Sequence, residues 1–129
     1  MDKLNIALIA HDEKKTLMSL FCKINESTLA KHELYATGTT GQHIMDRTNL
    51  NITKLLSGPM GGDAELGALV SRQKIDLIIF LRDPLPAHPH EPDIQALIRL
   101  CDVHNIPIAT NIASAKAFIK CLNVNMQNL

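Results

Sequence analysis

Apolar residues fall in two rhythms along this chain. Unbroken runs occur at 5–10 (NIALIA) and 75–81 (IDLIIFL), with shorter ones at 33–37 (ELYAT), 51–56 (NITKLL) and 106–110 (IPIAT). Short apolar runs rich in β-formers predict strands buried on both faces. Between them the spacing widens to three and four residues. Leu17, Leu20, Phe21 and Ile24 predict one helix, with Asp12 as its cap. Ile44 and Met45 predict a short second helix. Leu66, Leu69 and Val70 mark a third within 64–72, and the stretches 94–105, capped by Asp93, and 113–122 complete the set. Four prolines between 83 and 93 (DPLPAHPHEPD) predict a loop there.

Strand and helix alternate five times. That pattern predicts an α/β fold, a single doubly wound domain in three layers around a five-stranded, mainly parallel sheet. Residues 5–122 form its expected core, and the polar tail 123–129 (NVNMQNL) is expected to fray.

Composition narrows the function. The chain has 129 residues, 46% of them hydrophobic, enough for a core without metal or disulfide staples. Thirteen basic residues balance thirteen acidic ones, which argues against a general electrostatic grip on nucleic acid. Aromatic residues make up 3%, too few for base-stacking platforms. The opening MDKLNIALIAHDE reaches charge after too short an apolar run for a signal peptide, and no run is long enough to span a bilayer. Cys22, Cys101 and Cys121 are odd in number and lack metal-ligand spacing, as expected of reduced thiols in a cytoplasmic protein.

In an open parallel sheet, ligands bind beyond the carboxyl ends of the strands. Applied here, that rule gathers HDEKK (11–15), TGTTG (37–41), SGPMGGD (57–63), RDPLPAHPHEPD (82–93) and TN (110–111) on one edge. TGTTG offers the Thr37, Thr39 and Thr40 hydroxyls with backbone N–H groups eased open by Gly38 and Gly41, which suits a phosphate. The other reading is a glycine turn with a helix cap. Lys15 either supplies positive charge to such a pocket or is a solvated helix-face lysine. Ser57 and Gly58 are either a further anion contact or a plain turn. Asp63 is either a helix N-cap or a reactive carboxylate beside the pocket. In the proline-stiffened loop, Asp83, His88, His90, Glu91 and Asp93 fit a preorganised site. A metal centre is the alternative, weakened by the absence of cysteine ligands and regular spacing. His88 and Glu91 read as solvated loop residues, and His11 as either a satisfied polar residue or a second site contact.

Taken together, LIAHDEKK, LYATGTTG, LSGPMGGD, RDPLPAHPHEPD and NIPIATN resemble the methylglyoxal synthase family, in order and spacing, over roughly residues 5–120. The resemblance implies a lyase that converts dihydroxyacetone phosphate into methylglyoxal and inorganic phosphate without metal or organic cofactor, on a doubly wound sheet and usually as a homohexamer. It implies Asp63 as catalytic base and His90 as the hydrogen-bond partner of the substrate's carbonyl and hydroxyl oxygens. Phosphate contacts would fall on Lys15, Thr37, Gly38, Thr39, Thr40, Ser57 and Gly58, a ligand contact on His11, and pocket-lining positions on Asp12, Asp83 and Asp93. The same fold also resembles the regulatory domain of carbamoyl phosphate synthetase, which binds effectors without catalysis. That module has no use for a base, a histidine and further carboxylates.

Overall fold

The computed structural model describes residues 3–56, 62–85 and 91–124, without the side chains of residues 63 and 91–93. The strands are β1 (Asn5–Ala10), β2 (Glu33–Thr37), β3 (Ile52–Leu55), β4 (Leu77–Leu81) and β5 (Ile108–Ala109). They form one sheet in the order β3-β2-β1-β4-β5. Every pairing is parallel, so the expectation of a mainly parallel sheet is met in full. Ile6 of β1 lies opposite Leu34 of β2 on one side and Leu77 of β4 on the other.

The helices are α1 (Lys15–Ile24), α2 (Glu26–Leu29), α3 (Gly38–Arg47), α4 (Gly62–Ser71), α5 (Glu91–His104) and α6 (Ile112–Leu122), with a 3-10 turn at Asp12–Lys14 ahead of α1. Alternate strand residues sort them into two layers. Ile6, Leu8, Leu34 and Ile79 pack with Phe21, Leu29, Ile44 and Ile119, so α1, α2, α3 and α6 cover one face. Ala7, Ile9, Ile78 and Phe80 pack with Leu66, Val70, Ile94 and Leu97, so α4 and α5 cover the other. Burial on both faces explains why β1 and β4 read as unbroken apolar runs rather than alternating ones.

α4 and α5 are each followed by a residue in the left-handed region, Gln73 and Asn105, each at φ 58°. The following N–H groups close back to the helix, Lys74 to the Leu69 carbonyl at 2.9 Å and Ile106 to the Cys101 carbonyl at 2.8 Å. This C-terminal cap stops a helix without glycine at a modest backbone cost.

Several sequence expectations shift. Asp12 does not cap α1: it opens the 3-10 turn, and its carboxylate pairs with Lys15 three residues on. α1 buries Met18, Ser19, Phe21 and Cys22, while the expected core residues Leu20 and Ile24 are 54% and 72% exposed. The GTTG stretch is not a turn before a helix but the first turn of α3 itself. Gly62 starts α4, so Asp63 is its second residue and not the residue before it. α5 starts at Glu91, which places Asp93 inside the first turn rather than at the cap. Pro92 is compatible with that start, since first-turn N–H groups have no intrahelical partner to lose. β5 shrinks to two residues at the sheet edge, and α2 has no clear signal in the sequence.

Asn123 is held rather than frayed: its N–H reaches the Ile119 and Lys120 carbonyls, and its side chain accepts from the Thr28 hydroxyl at 3.0 Å. Residues 125–129 lie outside the described residues. All three cysteines are free. Burial pushes the Cys22 thiol up to about 12 and, with the charge of Asp102, the Cys101 thiol to about 11, so neither ionises near neutral pH.

Candidate active site

The chain runs outward from β1 through β2 to β3, then returns to place β4 on the other side of β1. The strand order therefore reverses between β1 and β4, and a crevice opens beyond their carboxyl ends. His11 and Asp83 occupy that point. The Asp83 backbone N–H donates to His11 Nδ1 at 2.9 Å, joining the loops that leave the two strands. The imidazole also packs edge-on against Phe80, with ring centroids 5.3 Å apart. A nitrogen that accepts from an amide carries no proton, so His11 in this arrangement is neutral with its proton on Nε2. His11 is thus a built member of the crevice, with its Nδ1 fixed by backbone.

On the neighbouring strand pair, Thr37 ends β2 and α3 begins immediately at Gly38. Thr37 has extended backbone geometry at the N-cap position yet makes no side-chain capping bond. Its hydroxyl turns sideways to Thr40 Oγ1 at 3.3 Å, and Thr40 Oγ1 reaches the Ala10 carbonyl at the end of β1 at 3.4 Å. Both threonines are buried, whereas Thr39 is exposed. The first-turn N–H groups of α3 therefore keep their capacity for an anion, strengthened by the helix dipole. The hydroxyl bonds are long and weak, so a charged acceptor readily replaces them.

The two glycines of this stretch differ in role. Gly38 opens the helix. Gly41 is buried in it, and a Cβ there would meet Lys54 Cγ at 3.0 Å and Ala36 Cβ at 3.5 Å. Gly41 thus allows α3 to lie close on β2 and β3, where Lys54 Nζ donates to Gln42 Oε1 at 2.9 Å. Its contribution is packing and not, as the sequence suggested, an opened N–H group.

Lys15 opens α1 just behind the end of β1, and α1 packs against α3. Its ammonium pairs with Asp12; the lysine side chain is 12% exposed and the aspartate 92%. The hydrogen bond from Lys15, then its charge, holds the Asp12 carboxyl below the usual carboxylate range. Asp12 thus acts as the resident counter-ion of a largely buried cation.

Asp63 and Asp93 lie in the first turns of α4 and α5, the helices that follow β3 and β4, so their backbones stand on the same sheet edge. Ser57, Gly58, His88 and His90 lie outside the described residues. Among the described residues no group of three or more His, Cys, Asp or Glu side chains is arranged to hold a metal, and no helix is long and apolar enough to cross a membrane. One side chain at this edge is not singled out by sequence reasoning. Glu65, the fourth residue of α4, accepts the Leu56 N–H at 2.8 Å just past β3. An acidic residue in a helix's first turn is the available signal, shared with many helices that carry no site.

Known proteins agree with this architecture. Residues 18–110 match the family model described as MGS-like domain. A methylglyoxal synthase of Clostridioides difficile (strain 630) is 62% identical over 120 residues, covering 93% of this chain and 88% of that protein. One from Carboxydothermus hydrogenoformans is 55% identical over 120 residues, covering 93% and 99%. The crystal structure of methylglyoxal synthase from Elizabethkingia anophelis NUHP1 superposes with a TM-score of 0.85 at 41% identity, covering 91% of this chain and 77% of that one. With the family model spanning most of the chain and relatives this similar over nearly their whole length, the chain belongs to the methylglyoxal synthase family.

Proposed function

We propose that this protein is a methylglyoxal synthase, a lyase that takes dihydroxyacetone phosphate to methylglyoxal and inorganic phosphate. The observation that carries the reading is family membership across nearly the full chain, at 55–62% identity to the relatives above. The carboxyl edge supplies chemistry that fits it: the uncapped first turn of α3 and the Lys15 ammonium are suited to a phosphate dianion.

In the proposed mechanism Asp63 removes a proton from the hydroxymethyl carbon next to the carbonyl. A free aspartate, with a pKa of about 3.9, is a weak base. A neighbouring phosphate and other carboxylates disfavour its charged form and raise its basicity. His90 donates to the oxygen on which enediolate charge develops. Asp83 and Asp93 line the pocket, and His11, held as the Nε2–H tautomer, presents a further donor to the ligand. The enediolate then expels the phosphate: the C–O bond to phosphate breaks, its electron pair leaves with the phosphate, and the resulting enol tautomerises to methylglyoxal. No water is consumed.

Elimination prevails over isomerisation when the breaking C–O bond stands perpendicular to the enediolate plane, where its antibonding orbital overlaps the π system. A cradle made from Thr37, Gly38, Thr39, Thr40, Ser57, Gly58 and Lys15 on adjacent strand ends fixes the phosphate at that angle. It also stabilises the charge of the leaving phosphate, which is a transition-state effect and not uniform binding. The active form in this reading is a cytoplasmic homohexamer acting without cofactor.

Incubation of the purified protein with dihydroxyacetone phosphate tests the reading. Methylglyoxal and phosphate are expected in equal amounts, with little glyceraldehyde 3-phosphate, and excess chelator leaves the rate unchanged. A mixture dominated by glyceraldehyde 3-phosphate, or binding without any phosphate release, overturns it. Sedimentation of the same sample reports the assembly.

A further inference from the structure

β3 is an edge strand of the sheet, and its last paired residue is Leu55, opposite Thr37 of β2. The next amide, that of Leu56, has passed the end of the ladder. It donates instead to Glu65 Oε1 at 2.8 Å, across nine positions of sequence. Glu65 is the fourth residue of α4, partly buried, and two residues beyond Asp63. Leu56 itself is followed directly by Ser57. One hydrogen bond therefore joins the residue before the proposed phosphate-contacting serine to the helix turn that carries the proposed base. The acceptor is a carboxylate in a helix's first turn, which the dipole favours, and bonds with one charged partner are stronger than neutral ones.

We propose that Glu65 is a positioning residue for this reaction. Its bond to the Leu56 N–H fixes α4, and with it Asp63, relative to the end of β3 and the adjoining cradle. The proposal rests on the functional reading above. Proton abstraction at carbon depends on alignment, and a misplacement of about 1 Å can cost on the order of a hundredfold in rate. Leu56 is 54% exposed, so core packing does little to hold that residue. Of the proposed phosphate contacts, those on Thr37, α3 and Lys15 stand on other elements, and only Ser57 and Gly58 adjoin Leu56. Loss of the bond is therefore felt in turnover before it is felt in binding.

The test compares Glu65→Ala with Glu65→Gln. Glutamine keeps an Oε1 acceptor at the same reach; alanine removes it. In Glu65→Ala, kcat is expected to fall by roughly tenfold to a hundredfold. KM and competition by inorganic phosphate should change less than about threefold, because most of the cradle stands on elements the bond does not touch. Glu65→Gln should restore kcat to within about threefold of wild type, since an amide oxygen accepts the same bond. A wild-type kcat in Glu65→Ala overturns the proposal. So does a Glu65→Gln enzyme as slow as Glu65→Ala, which would make the charge and not the bond responsible. Amide exchange at Leu56 provides a readout independent of activity: protected in wild type and Glu65→Gln, unprotected in Glu65→Ala. If the wild-type protein releases no phosphate from dihydroxyacetone phosphate, the functional reading fails while the exchange result still decides whether the bond holds α4.

Discussion

The two edges of the sheet use part of their polar side chains differently. At the amino edge they are bound to backbone. Asp76 Oδ2 accepts the Asn5 N–H at 2.8 Å, Asn5 Nδ2 donates to the Lys74 carbonyl at 2.8 Å, and His32 Nδ1 accepts the Leu4 N–H at 3.0 Å. These are short bonds between segments far apart in sequence, and they fasten β1 to the entries of β2 and β4. At the carboxyl edge the threonine hydroxyls make bonds of 3.3 and 3.4 Å, the N-cap of α3 makes no side-chain capping bond, and the largely buried Lys15 is paired with an almost wholly exposed aspartate. One edge invests its polar groups in the fold. The other also has such bonds, at His11 and Glu65, but keeps its threonine hydroxyls and Lys15 in arrangements that a charged ligand can outcompete. Only the latter is a place for chemistry, although both carry histidine and aspartate.

The largest expected effect lies at the carboxyl edge. Asp63→Asn should slow turnover by a factor on the order of 100 to 10,000. Asp63 is not the N-cap of α4, so the melting temperature should stay near wild type. Steady-state kinetics beside a thermal melt checks both. A variant with normal turnover removes Asp63 from the mechanism, and one that unfolds makes it a structural residue.

Lys15→Met comes next. Hydrogen bonds to a charged group contribute roughly 1.5–3 kcal/mol, so affinity for substrate and for inorganic phosphate should drop by about tenfold or more, together. The Asp12 pKa should rise in the same variant, since the hydrogen bond and charge of Lys15 are the largest causes of its lowering. Phosphate inhibition that is unchanged would place the anion elsewhere.

At the amino edge the expectation inverts. Asp76→Ala removes the acceptor of the Asn5 amide and, with the bond open to water, should cost about 0.5–1.5 kcal/mol of stability in chemical denaturation. Its kcat should be unaltered when measured well below the transition. A loss of kcat without loss of stability would erase the distinction between the edges.

The smallest effect sharpens the same contrast through pH. Burial, then the charges of Lys31 and Lys3, lowers the pKa of His32 from its ordinary value near 6.5. The folded protein thus favours the neutral ring that accepts from Leu4, and unfolding exposes a ring that protonates more readily. The contribution is fully present above about pH 6.5 and is lost as pH falls through the lowered folded value. Denaturation midpoints at pH 7.5 and 5.5 should differ more in wild type than in His32→Asn, which offers an acceptor that does not titrate. An equal difference in both would show that His32 plays no part in the acid sensitivity.

Much of this architecture is legible in the residues themselves. NIALIA and IDLIIFL mark the two central strands because burial on both faces leaves no room for alternation. The carboxyl-edge rule then gathers Lys15, Thr37, Thr40 and Asp83, since in a parallel sheet every loop after a strand emerges on one side. Other expectations fail for local reasons. Asp12 and Asp93 each precede an apolar helical pattern and so resemble caps; a nearby lysine draws the first aside, and α5 reaches back past the second. Asp83 reads as a side chain near the substrate, yet its backbone N–H also fixes the tautomer of His11, and main-chain donors have no signature in sequence.

Local pattern alone specifies the alternation of elements, the buried central strands and the chemistry gathered at the strand ends. These depend on residue type and spacing along one segment. Tertiary structure decided which stripe of an element faces inward and which distant groups meet. α1 could have buried Leu20 and Ile24 by periodicity alone; it buries Met18 and Cys22 because its angle on the sheet is set by packing against α3 as well. Gly41 could have served an anion, but with α3 lying on Lys54 and Ala36 its missing side chain serves that approach. The bonds from Asp83 to His11 and from Leu56 to Glu65 belong to the same class, because a hydrogen bond between segments exists only once the sheet order has placed them side by side.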